Sequence, residues 1–315
     1  MAAEAGASPL RRILVIKHGA LGDFVQALGP AAAIRRHHPD ASITLLTTAP
    51  FVDLARRSPY FDAVWIDDRP SLSDPIGIFR LRRRLRQGRF DRVYDLQTSA
   101  RSSLYFRLIG PGYRPEWSGI AAGCSHPHLN PDRDRMHTLD RQRDQLGIAG
   151  IDDVASPSVS WIETPADRFD LGGPAVLLIP GGSAHRPRKR WPIDRFAALA
   201  GLIAASGRRP VILGAIQERP LAAAIQAAAP SSLDLTGQTD LPDIAALGRL
   251  AYRSIGNDTG PMHLAVAAGS PATVLYSDAS DPAITAPRGP DVTVLRREDL
   301  ADLTVAEVAA TLDLR

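Results

Sequence analysis

Cysteine is nearly absent from this chain of 315 residues. The single thiol, Cys124, rules out an internal disulfide and a cysteine-based zinc site. No apolar run approaches the roughly 20 residues that carry a helix across a bilayer. The opening stretch, MAAEAGASPLRR, lacks the apolar core of a secretion signal, so a cytoplasmic protein is expected. The dinucleotide fingerprint G-x-G-x-x-G is missing too. The turn in 15-VIKHGALGDFVQAL-28 holds only Gly19 and Gly22, spaced G-x-x-G, which argues against a dehydrogenase. Lysine is scarce: of 37 basic residues only Lys17 and Lys189 are lysines. Both fall in loops that stand out on other grounds. An ammonium is a compact point charge suited to phosphate and is not equivalent to arginine's planar fork.

Net charge is only +3, a weak pull on polyanions, but its distribution is uneven. The segment 79-FRLRRRLRQGRF-90 carries Arg80, Arg82, Arg83, Arg84, Arg86 and Arg89 with no acid between them. It reads either as the solvated face of a surface helix or as a patch for an anionic acceptor or membrane surface. Stacking aromatics are not interleaved with it, so nucleic acid is not expected.

The length suits about two domains, and a hydrophobic content of 44% suits a packed globular chain. Strands are predicted at 12–16, 42–47, 63–67 and 91–96, with helices at 23–37, 50–57 and 76–87 between them. Segment 97–150 is harder to read; helices are expected near 99–108 and 136–146. Residues 152–174 are rich in Pro, Asp, Ser and Gly, as linkers are. The alternation then restarts, with strands at 175–179, 210–214, 233–236, 253–256 and 272–276. Helices are predicted at 192–206, 217–228, 241–251, 261–268 and near 304–313. Such alternation implies parallel sheets covered by helices. The expected organisation is a domain over 1–155, a linker over 156–173 and a domain over 174–315, the last helix being free to pack back on the first domain.

Three loops carry candidate chemistry, each following a predicted strand, where ligands sit in such sheets. In 177-LLIPGGSAHRPRKRWPIDRF-196, Gly181, Gly182 and Ser183 can turn tightly and present backbone N–H groups to phosphate oxygens, with Arg186, Arg188, Lys189 and Arg190 adding charge. The plainer alternative is a glycine turn followed by exposed basic residues. In 253-RSIGNDTGPMHLAVAAGSP-271, Asp258, Thr259 and Gly260 precede a helix whose N-terminus suits an anion. Asp258 or Thr259 could equally be a plain N-cap, and His263 either a ligand contact or a packing residue. Asp23, at the first helix, is either an N-cap or a general base. A phosphate-binding role suits it poorly, since like charges repel.

These stretches resemble glycosyltransferase family 9, the ADP-heptose:lipopolysaccharide heptosyltransferases and their relatives. The likeness runs through RILVIKHGALGD, YDLQTSARS at 94–102, IPGGS with KRWP, GNDTGPMHLAVAAGSP and YSDASDP, in that order. It implies an α/β chain of the GT-B type: two facing Rossmann-like domains with parallel sheets and an interdomain cleft. It also implies inverting transfer of a sugar from a nucleotide diphosphate, with no metal and no cofactor. Asp23 would be the base and Lys189 would stabilise the leaving diphosphate. Gly181, Gly182, Ser183, Glu218, Asp258, Thr259, Gly260 and His263 would hold the donor. Lys17, Gly22, Arg80, Arg83, Arg84, Gln97 and Arg101 are expected on the acceptor side. The expected partners are a nucleotide-sugar donor and an anionic lipid-linked glycan acceptor, met in the cytoplasm at the inner face of the inner membrane. The run SAHR after Gly182 and the form YSDASDP depart from the better-known heptosyltransferases. They leave the donor's base and sugar open; the competing readings are another nucleotide sugar, a non-catalytic binder or a sugar-nucleotide epimerase.

Overall fold

The computed structural model describes residues 10–182 and 185–313. Ser183, expected in the donor loop, lies outside the described residues. The chain divides into two compact units. The first comprises residues up to Gly19, Gly29–Asp134 and Leu139–Ala155; the second comprises Ala20–Leu28, Arg135–Thr138 and the chain from Ser156 onward.

In chain order, the first half runs β1 (Arg12–Ile16), α1 (Leu21–Gln26), α2 (Leu28–His37), β2 (Ser42–Thr47), α3 (Val52–Arg57), β3 (Ala63–Ile66), α4 (Pro75–Gln87), β4 (Arg92–Asp95), α5 (Ala100–Ile109), β5 (Glu116–Gly119), β6 (His126–Pro127) and α6 (Thr138–Ile148). The second half runs β7 (Ala175–Ile179), α7 (Ile193–Ala205), β8 (Arg209–Ile212), α8 (Arg219–Ala228), β9 (Leu233–Asp234), α9 (Leu241–Leu250), β10 (Arg253–Asn257), α10 (Gly260–Ala267), β11 (Ala272–Tyr276), α11 (Pro282–Thr285), β12 (Val292–Arg296) and α12 (Val305–Ala309).

Each half forms one six-stranded sheet, ordered β3-β2-β1-β4-β5-β6 in the first and β12-β11-β10-β7-β8-β9 in the second. All pairings between neighbouring strands are parallel. Counted from its own first strand, each sheet has the Rossmann order 3-2-1-4-5-6. The central strands explain why: Ile13-Leu14-Val15-Ile16 and Ala175–Ile179 are buried throughout, the continuous apolar run that a strand covered on both faces requires.

Several expectations are corrected. The helix predicted over 23–37 is two helices, α1 and α2. Pro30 has no N–H for the carbonyl of Gln26 and its ring crowds that carbonyl, so one helix cannot run through; Ala27 closes α1 instead. Strands β5, β6 and β12 and helix α11 were not foreseen. The segment expected as a linker packs onto the second unit: Val159, Ile162 and Phe169 are buried, and Val159 N–H bonds to the Ala267 carbonyl at 3.0 Å. The final helix belongs to the second unit's own core, where Val308 and Leu312 join Phe196 and Leu199 of α7.

Candidate active site

β7 and β10 lie side by side in the second sheet, and their neighbours fan out in opposite directions. This is the switch point, where an α/β sheet opens a crevice beyond its carboxyl ends. Two polar side chains, one buried and one half-buried, shape the loops there. Asn257 ends β10 and is fully buried. Its Nδ2 donates to the carbonyls of Pro180 (2.8 Å) and Gly181 (3.2 Å), and its Oδ1 accepts from Trp191 N–H (2.9 Å). Glu218 joins the loops after β7 and β8. Its two carboxylate oxygens accept from Gly182 N–H (3.0 Å) and Ala215 N–H (2.8 Å). The glycine loop is thus held from both sides by bonds to its own backbone.

Lys189 sits on a single 3-10 turn, Pro187–Lys189. Its Nζ lies 2.5 Å from Asp258 Oδ2, and only 12% and 8% of the two side chains is exposed. Burial alone would raise the Asp258 carboxyl. The His263 ring 3.9 Å away and the Lys189 ammonium outweigh it and hold the group well below the usual carboxylate range. Of the two capping readings, that for Thr259 holds by position: it is the N-cap of α10, though its side chain makes no capping bond, while Asp258 is engaged with Lys189.

Asp23 is the third residue of α1, whose N-cap is Ala20, so it is not an N-cap either. Its carboxylate is half-buried and has no hydrogen-bond partner among the described residues. α1 packs on α10 at very short range. A Cβ on Gly22 would fall 2.8 Å from His263 Cδ2, and one on Gly260 would fall 2.5 Å from Leu21 Cβ. Gly22 is therefore a contact point between helices, while Gly19, at φ +119°, makes the turn before it.

Gln26 decides how His263 faces the site. Its Nε2 is 3.0 Å from the Thr285 carbonyl and 3.2 Å from His263 Nδ1. A carbonyl can only accept, so Nε2 is the amide's donor end, and His263 Nδ1 must accept from it. The ring proton then sits on Nε2, on the side of Asp258. His263 is thus buried and packed against Gln26, with its Nε2 edge turned towards Asp258.

Asp23, Gln26, Arg186, Lys189, Asp258, Thr259, Gly260, Pro261, His263 and Thr285 line one cavity of about 570 Å³ within the second unit. The Asp23 carboxylate, which has no partner among the described residues, the largely enclosed Lys189 ammonium, the guanidinium of Arg186 and the N-terminus of α10 converge there. Among the described residues no group of three or more His, Cys, Asp or Glu side chains could hold a metal ion.

The family model of glycosyltransferase family 9 (heptosyltransferase) matches residues 78–308. The chain belongs to glycosyltransferase family 9. It is 24% identical to lipooligosaccharide heptosyltransferase 2 of Haemophilus influenzae over 90% of this chain and 88% of that protein. Among solved structures, the E. coli ADP-heptose lps heptosyltransferase II superposes with a TM-score of 0.77 at 22% identity, covering 96% of this chain and 97% of that one. The E. coli heptosyltransferase WaaC with ADP gives 0.75 at 20% identity, covering 95% and 98%. The fold is GT-B and the protein is a glycosyltransferase.

For this family member, sequence reasoning brought Asp23, Lys189, Asp258, Thr259, Gly260 and His263 to one cavity. Asp23 was expected on the first domain, yet α1 clusters with the second unit. The residues expected on the acceptor side have varied settings. Gly22 lies on the cavity of the second unit. In the first unit Lys17 is buried and donates to the Leu96 carbonyl at 3.3 Å. Gln97 accepts from His18 N–H at 2.9 Å, and Arg101 donates to the Pro70 carbonyl at 3.2 Å. Arg84 lies over Trp65 and donates to the Ile66 carbonyl at 3.0 Å. Arg80 and Arg83 are exposed. Sequence reasoning missed Asn257 and Gln26. The only signal for either was an amide at the end of a buried strand or on the buried side of a helix.

Proposed function

We propose that the chain is an inverting, metal-independent heptosyltransferase that moves heptose from ADP-heptose to a lipopolysaccharide core or related lipid-linked envelope glycan. The observation that carries this reading is the sharing of one cavity by Asp23, a carboxylate with no partner among the described residues, and Lys189, a largely enclosed ammonium. The similarity to an ADP-heptose lps heptosyltransferase and to a lipooligosaccharide heptosyltransferase supports the choice of substrates.

The steps follow from the groups present. Asp23 takes the proton from an acceptor hydroxyl, and the oxygen attacks the anomeric carbon of the donor. The bond from that carbon to the diphosphate oxygen breaks on the opposite face, so one displacement inverts the centre. The diphosphate leaves with the electron pair. Lys189, Arg186 and the N–H groups at the start of α10 take up the charge that develops on it. Asp258 keeps Lys189 in place, and His263 offers Nε2–H to the same region. The positive charge at the leaving group is supplied by the protein, which is the basis for proposing that no metal takes part.

The test is Asp23→Asn. Loss of a general base lowers turnover by about 10²–10⁴-fold. ADP binding, read by the ligand's shift of the unfolding midpoint, should stay close to wild type. Near wild-type turnover would remove Asp23 from the mechanism. In wild type, stabilisation by UDP or GDP but not ADP would keep the family and replace the donor.

A further inference from the structure

We propose that α4 is a membrane-docking helix that lays apolar side chains into the surface of an anionic phospholipid bilayer. It fits the lipid-linked acceptor proposed above but rests on a different part of the chain, within the first unit.

α4 has two apolar edges. Leu81 and Leu85 are buried in the core of the first unit. At 100° per residue, Ile76, Phe79, Arg80, Arg83 and Gln87 fall on the opposite side. Ile76 is 63% exposed and Phe79 is 60% exposed, and Leu72, just ahead of the helix, is 77% exposed. A helix on a soluble surface carries polar residues there. This one carries two large hydrophobic residues followed by cations, the pattern of a helix lying in a membrane interface.

The arginines divide by task. Arg82 and Arg86 donate to the carbonyls of Leu108 and Ile109 (3.0 and 2.5 Å), closing the C-terminus of α5. Arg84 is held by Trp65 and the Ile66 carbonyl. Arg80, Arg83 and Arg89 are exposed and make no salt bridge among the described residues. Residues 75–90 contain no acid; ahead of the helix, Asp74 is its N-cap and accepts from Gly77 N–H at 2.9 Å, and Asp67, Asp68 and Asp74 share a cavity with Arg80 and Arg84, which leaves Arg83 and Arg89 on the side away from those acids. Beside the outward face, Phe79, Arg82, Arg83, Arg86, Arg89 and Tyr113 line a cavity of about 620 Å³. It is a seat of the right charge for a lipid phosphate. Charge complementarity therefore selects an anionic bilayer over an apolar protein partner.

The test uses the full chain with vesicles of phosphatidylcholine, with and without phosphatidylglycerol. Sedimentation should show binding to the anionic vesicles that weakens with salt. Arg80→Gln and Arg83→Gln should each lower partitioning roughly fivefold. Phe79→Ser should lower it about tenfold. A Phe79→Trp variant should show a blue-shifted emission on binding, which surface adsorption alone does not give. All these side chains are exposed, so unfolding midpoints should not move. Three results would overturn the proposal: no vesicle binding, binding indifferent to Phe79→Ser and Ile76→Ser, or a concentration-dependent dimer that these substitutions abolish. None of them touches the transfer assay, so the docking and transferase readings fail separately.

Discussion

Replacing Asp258 by Asn tests the buried charge pair at the heart of the site. The change keeps the shape and removes the charge that faces Lys189 Nζ at 2.5 Å. Removing one partner of a buried pair typically costs 3–5 kcal/mol, because the remaining charge stays desolvated and unmatched. The cavity admits water, so the lower end applies, about 3 kcal/mol. At about 2–4 °C per kcal/mol, the unfolding midpoint should fall by about 6–12 °C. The pH dependence gives a second handle. Burial pushes the Asp258 carboxyl up from 3.8, but His263 and Lys189 pull it further down, so the net shift is downward. A depressed folded-state pKa stabilises the fold above the unfolded value, and that stability is lost as pH falls through the folded value. The gap between wild type and variant should be constant from about pH 5 to about pH 8 and close as the pH drops below about 4. Scanning fluorimetry across that range reads both. Adding Lys189→Met should return part of the loss, since no orphaned cation remains. A variant as stable as wild type at neutral pH would refute the reasoning, and so would a gap that widens on acidification.

Other perturbations address other links. Asp95, fully buried at the end of β4, accepts from the N–H groups of Gln97 and Thr98 (3.1 and 2.9 Å), yet burial pushes its carboxyl up from 3.8 to about 6. A raised folded-state pKa means stability present below about pH 4 and lost as pH rises towards about 6, a fall of about 3 kcal/mol at 1.36 kcal/mol per pKa unit. Urea unfolding at those two pH values should show the fall in wild type and little of it in Asp95→Asn; an equal fall in both would mean another group titrates. Gln26→Leu should release the His263 tautomer. Nitrogen-15 NMR of histidine-labelled protein should show a single Nε2–H form in wild type and a mixture in the variant, and a mixture already in wild type would refute the assignment.

How much of this was legible depends on how local each determinant is. β1, β2, β7 and β11 were predicted to the residue: β7 is a continuous apolar run and β1 is one after Arg12, as strands covered on both faces require, and β2 and β11 interleave apolar residues with β-branched threonine. β5 and β6 hide their signal: Glu116-Trp117-Ser118-Gly119 has one apolar residue, and its place in the sheet depends on pairing with β4. The break between α1 and α2 was readable from Pro30 but was outweighed by the apolar pattern around it. In the site, Asp23, Lys189 and Asp258 could be found because each follows an apolar strand in a glycine-containing loop. Asn257 could not, because its work is to bond the carbonyls of Pro180 and Gly181, and that requires β10 to lie against β7. The arginine run shows the same limit. Sequence counts six like charges, but only the fold separates those that close α5 from those left outward beside Ile76 and Phe79.

The G-x-x-G turn gains its meaning from α10. Gly19 and Gly22 could have been half of a phosphate loop, and Asp23 would then have repelled its ligand. The structure gives both glycines other work: one turns the chain as it passes from the first unit to the second, and the other lets α1 press against His263. Gly260 answers from the opposite helix by making room for Leu21. Two glycines therefore fix the approach of α1 to α10. That approach sets where Asp23 stands relative to Asp258 and to the lysine Asp258 holds. The same contact brings Gln26 to the ring of His263. The carboxylate, the ammonium and the histidine proton are placed by one helix pair. An acid on α1 and the N-terminus of α10 thus share one cavity.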